Sequence, residues 1–115
     1  MKEFLLIFRS SPVTSEVPLS PEQIQARMKP WQDWMGSLAA QNKLSSAGNR
    51  LESATGRQIK PNHVVTNGPY VETKELVSGY TILKADSLDE ATELAKGCPI
   101  LKMGGNIEVR AIVPM

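Results

Sequence analysis

The sequence predicts an α+β fold with two helices lying on one face of an antiparallel sheet. Three observations carry this. An unbroken apolar run, Phe4 to Phe8, stands near the start. Two helix starts, each announced by a serine, lie far apart at "LSPEQ" and "DSLDE". Strand-like segments fall before, between and after them, in the order β-α-β-β-β-α-β. Apart from one extra strand, this is the split βαβ, ferredoxin-like order. The 115 residues fit one domain over 1–115 with one hydrophobic core.

The first strand is read at "EFLLIFR", Glu3 to Arg9. A strand with one wet face alternates apolar and polar residues. This one is apolar at every position from Phe4 to Phe8, which predicts cover on both faces. Two helices cover one face only. On the other, either Phe4, Leu6 and Phe8 or Leu5 and Ile7 are left bare. A contiguous bare apolar face predicts a partner. A second copy, related by two-fold symmetry and packed sheet to sheet, is the economical one.

The Ser/Pro/Thr-rich loop from Ser10 to Pro21 ends at a helix start. Ser20 is the N-cap, Pro21 the first helical residue, and Gln23 completes a capping box. Ile24, Met28, Trp31, Met35 and Leu38 follow on one helical face. Pro30 lies inside this helix and predicts a kink. Leu44 to Thr66 reads as two strands joined by a turn at "ESATGR". The second runs from about Gln58 to Thr66, with Pro61 marking an edge position or a bulge.

"VVTNGPYVETKE" follows, Val64 to Glu75. Asn67-Gly68 is a strong hairpin signal, since both residues tolerate positive φ. Pro69 contradicts it, because a tight turn is closed by an amide that proline lacks. The segment is therefore read as a stiff bridge between strands. "SGYTILKAD" is the next strand. "SLDE" is a second capping box, opening a helix with Leu88, Ala91, Leu94 and Ala95 toward the core. Gly97 fits the position just past its end, and Pro99 forbids continuation. "NIEVRAIV" closes the sheet with Ile107, Val109 and Ala111 on one face.

Charged residues are 22% and the formal net charge is +1, so no electrostatic footprint for nucleic acid exists. Single Cys and His residues (Cys98, His63) argue against a disulfide and a protein-built metal site. No cofactor is predicted. No apolar run is long enough for a signal-peptide core or a membrane span, so no membrane partner is expected and a cytoplasmic protein is the default. There is no internal repeat, low-complexity segment or linker.

The stretch "NGPYVETKELVSGYTILKADSLDEATELAKGCPILKMGGNIEVR", Asn67 to Arg110, resembles the YCII-related family, in the branch marked by an Asp-Gly-Pro-Phe motif. In that branch the motif precedes Glu-x-Lys-Glu, a Gly-Gly-aromatic strand, "DSLDEA", a Cys-Pro pair and a closing Gly-Gly-x-x-Glu-Val-Arg. "MKEFLLIFR" and "LSPEQIQARMKPWQDWM" resemble the family's opening more loosely. The resemblance implies a dimeric α+β barrel and a small-molecule cavity. Relatives with this fold include lactone isomerases and dehalogenases, and some members of the branch carry names that point to transcription initiation. The sequence departs from the pattern at Asn67 for Asp, Tyr70 for Phe, and Ser78 for the first Gly. Other members are thought to pair a first-helix His with an Asp. This helix has no His.

Asn67, Pro69 and Tyr70 are candidate ligand contacts as a rigid loop over a pocket. The plainer reading is a loop that shapes the chain and packs a dimer. Asn67 cannot act as a general base where an Asp would. Glu72 and Lys74 form an acid/base or ion-pair candidate, or a solvated charge cluster. His63, the single imidazole of the sequence, is a weak catalytic candidate with Glu72, or an ordinary polar residue. Trp31 and Trp34 are core or cavity wall, and Trp34 lies off the main stripe. Arg50 is a candidate for an anionic ligand, or a surface residue. Cys98, near a helix C-terminus, reads as a small buried hydrophobe. Two functions follow: a small-molecule-binding homodimer acting as a cofactor-independent enzyme, or a non-catalytic ligand- or protein-binding module. An RNA-binding sheet ranks lowest, because no RNP-like motif is present.

Overall fold

The computed structural model describes residues 1–10, 20–52, 55–68 and 76–115. Among these, the strands are β1 (Lys2–Ser10), β2 (Leu44–Ser46), β3 (Arg57–Lys60), β4 (Val64–Asn67), β5 (Leu76–Ala85) and β6 (Asn106–Ala111). The helices are α1 (Pro21–Ala40) and α2 (Leu88–Ala95). The main sheet is antiparallel with strand order β2-β5-β1-β6. The first and last strands of the chain thus sit side by side, and the split βαβ order of the sequence is present. β3 and β4 pair only with each other, as a second, two-stranded sheet.

The register sorts the residues of β1 by face. Phe4 pairs with Leu83 and Ala111, Leu6 with Thr81 and Val109, and Phe8 with Gly79 and Ile107. These side chains share one face because side chains alternate along a strand. Phe4, Leu6 and Phe8 are buried there with Trp34 and Leu38 of α1 and Ala91 and Ala95 of α2. Leu5 and Ile7 therefore take the other face, opposite Ile82 and Tyr80. All four are only partly buried. Phe8, Trp31 and Trp34 meet edge to face, with centroids 5.5 to 6.4 Å apart.

α1 begins as the sequence dictates. Ser20 Oγ accepts from the Gln23 amide, and Gln23 Oε1 accepts from the Ser20 amide. The helix continues unbroken through Pro30. Its apolar stripe is covered only in its second half: Trp31, Met35 and Leu38 pack on the core, whereas Ile24 and Met28 are exposed. Trp34, off the stripe, is buried and donates its Nε1 hydrogen to Leu94 O at 3.1 Å.

Three expectations are corrected. The strand from Gln58 to Thr66 does not exist as one piece. The chain reverses at Pro61-Asn62-His63, where Asn62 and His63 take positive φ, and Lys60 pairs with Val64. Proline ends β3 because it has no amide for the ladder, and Asn and His tolerate the left-handed turn. The extra strand is thus a separate hairpin. Leu88 is exposed rather than core. Ser87 caps α2, but Glu90 does not close the box. Its Oε1 instead accepts from the Asp86 amide and from Lys43 Nζ, at 3.2 and 2.7 Å.

Asn67 ends β4 opposite Arg57, and the Gly68 amide donates back to Gly56 O. β2 continues past a bulge as an irregular edge along β5. Leu51 N donates to Ser78 O, Tyr80 N to Asn49 O, and the buried Thr81 hydroxyl to Ala47 O. Two glycines permit this approach. A Cβ on Gly48, at φ +72°, would fall 1.7 Å from Tyr80 O, and one on Gly79 2.8 Å from Asn49 O. Gly97 also works by closeness, since its Cβ would lie 3.1 Å from the Trp34 ring.

Candidate functional site

The face of the sheet away from the helices carries an apolar centre and a polar frame. Leu5, Ile7, Tyr80 and Ile82 form the centre. Glu108 pairs with Ile7, Arg110 with Leu5, and Lys84 with Glu3, so β6 and the ends of β1 and β5 supply charges around it. Ser45 donates to Glu3, and Asn49 Nδ2 donates to the Tyr80 hydroxyl at 3.0 Å. Glu108 lies between two guanidinium groups, 3.1 Å from Arg110 and 3.4 Å from Arg9. The Arg110 hydrogen bond, with help from Arg9, holds its carboxyl below the ordinary value.

One end of this face is shaped by a bulge. After Phe8 pairs with Gly79, Arg9 pairs with Val77, and Ser78 is the extra residue. The Ser78 hydroxyl donates to Phe8 O at 3.3 Å. The bulge sets Arg9 and Val77 side by side where the edge segment from Arg50 passes. There a cleft of about 620 Å³ is lined by Arg9, Arg50, Leu51, Glu52, Thr55, Leu76 and Val77. Glu52 accepts a 2.8 Å hydrogen bond from the Thr55 hydroxyl. Arg50 is held by its backbone, bridged to Gly79, and its side chain makes no hydrogen bond or ion pair among the described residues.

Those of the residues singled out in the sequence that lie among the described residues do not converge. Arg50 lines the cleft. Trp31 and Trp34 lie under the opposite face of the sheet, against Phe8. Asn67 is exposed at the end of β4. His63 is exposed at the turn of the hairpin, not late in a strand. Pro69, Tyr70, Glu72 and Lys74 lie outside the described residues. Arg9, Leu51 and Val77 were not foreseen. The odd-numbered positions of β1 were a usable signal for Arg9, but the bulge that brings Val77 beside it leaves no mark in the sequence.

Cys98 is buried, and loss of solvent pushes its thiol up to about 11. It remains a protonated, apolar-like packing group. Among the described residues no group of three or more His, Cys, Asp or Glu side chains is placed to hold a metal ion. No helix among them is long and apolar enough to cross a membrane.

No curated protein matches the chain. A family model described as the YCII-related domain matches residues 3–115. That match spans all but the first two residues, and it agrees with an α+β chain of two helices and antiparallel sheets. The chain belongs to the YCII-related family.

Proposed function

We propose that this chain is a small-molecule-binding homodimer, made by packing the open sheet faces of two copies together as a dimeric α+β barrel. The observation that carries the reading is the open face itself. Leu5, Ile7, Tyr80 and Ile82 sit together on a four-stranded sheet without a covering layer among the described residues. An apolar centre inside a ring of charges is the anatomy of an interface. The frame also carries both signs, Glu3 and Glu108 beside Lys84 and Arg110, so the charges of two copies can meet their opposites. "NGPYVETKE" supports placing the chain in the Asp-Gly-Pro-Phe branch.

The reading is of binding rather than acid/base catalysis. Asn67 stands where the branch has Asp, and His63 is on an exposed turn. Light scattering at micromolar concentration tests the assembly. The expected mass is twice the 12.6 kDa of one chain. A mass of one chain overturns the dimer.

A further inference from the structure

We infer that the cleft between Arg9, Arg50 and Val77 binds a small organic anion, a carboxylate or a phosphate monoester carrying an apolar body. The inference rests on the small-molecule reading above and names the ligand class. Its basis is a charge count and a shape. Among the described residues, the cleft lining holds two guanidinium groups, Arg9 and Arg50, against one carboxylate, Glu52. One positive charge is left over. Glu108 is shared, and it lies closer to Arg110 than to Arg9. Arg9 therefore keeps donors available, and among the described residues the Arg50 side chain has no hydrogen-bond or ion-pair partner.

A planar guanidinium meets a carboxylate or phosphate through two parallel N–H···O bonds, so two of them at one cleft favour an anion over a neutral polar group. Leu51, Leu76 and Val77 form the apolar part of the wall, and they fit an apolar body beside the anionic head. The volume of about 620 Å³ is in the range of small-molecule sites. Arg9 and Val77 also belong to the open face. A second copy packed there places its own surface over the cleft and lowers the dielectric around both arginines.

The test is calorimetric titration of the whole chain with linear carboxylates of four to eight carbons, their primary amides, and the matching alkyl phosphates. The acids or the phosphates are expected to bind at least tenfold more tightly than the amides. The stronger of the two anions identifies the head group. Arg50→Gln and Arg9→Gln are each expected to remove most of that ratio, and Arg57→Gln, on the separate hairpin, to leave it intact. Amides binding as tightly as the anions overturn the inference while the small-molecule reading stands. Anion binding that survives both cleft substitutions overturns the assigned site. Binding by no probe overturns both readings, and the light-scattering mass reports on the dimer independently.

Discussion

The two faces of β1 present the same kind of residue to two different environments. Phe4, Leu6 and Phe8 are buried under α1 and α2. Leu5 and Ile7, one position away, lie on the open face. Intrinsic hydrophobicity does not distinguish the sets. Leu5 and Leu6 are identical side chains on adjacent residues. One face specifies the fold within a chain, and the other has apolar area left for a contact outside it. Burial of one such side chain is worth roughly 1.5–3 kcal/mol, so leaving a cluster of them half covered is a substantial unused driving force.

Substitutions on the two faces of β1 separate the two environments. Leu6→Ala is expected to have the largest effect, about 2–5 kcal/mol lost in urea unfolding. Leu6 is 0% exposed and its cavity has no solvent to fill it. The loss should be equal at every protein concentration. If two copies pack on the open face as proposed, Ile7→Ala should instead lower stability by an amount that depends on protein concentration. An Ile7→Ala loss as large as that of Leu6→Ala, and independent of concentration, breaks the comparison.

Thr81→Val comes next, at about 1–3 kcal/mol in the same assay. Thr81 is 0% exposed, and its hydroxyl supplies the hydrogen bond to Ala47 O that pins the edge segment. Valine keeps the volume and strands that carbonyl. A change under about 0.5 kcal/mol would show that water serves Ala47 as well.

The smallest effect is expected from pH. Hydrogen bonds from Lys43 and then the Asp86 amide hold Glu90 below its ordinary 4.5. A depressed carboxyl binds protons less readily in the folded chain than in the unfolded one. Its contribution is therefore full above 4.5 and is lost as pH falls through the lower, folded value. Glu90→Gln should flatten part of the acid limb of a melting-temperature series run from about pH 6 to pH 3. Glu108, also held low, should account for another part. An acid limb unchanged by Glu90→Gln removes this pair from the account.

Much of the fold was legible because it is written in local chemistry. The Ser20 and Ser87 caps place the helix starts, and period-two alternation assigns Ile107, Val109 and Ala111 to one face of β6. The site was less legible. Arg50 was singled out for its charge alone. Arg9 joins it only because β1 and the edge segment meet across β5, separations in sequence that no spacing rule links. Trp34 lies off the main helical stripe and reads from the sequence as core or cavity wall. It is core because Gly97 lets α2 close over its ring.

The sequence by itself determined the two helices, the inner and outer strands and the surplus of apolar residues on β1. Capping, proline and alternation act within a few residues, so they can be read in order along the chain. Only the tertiary structure decided which face of β1 stays open, that Gln58 to Thr66 folds back as a hairpin, and that Arg9 and Arg50 share a cleft. Those outcomes depend on pairing register, on a bulge and on glycines that admit a neighbouring backbone, which are properties of contacts between distant segments.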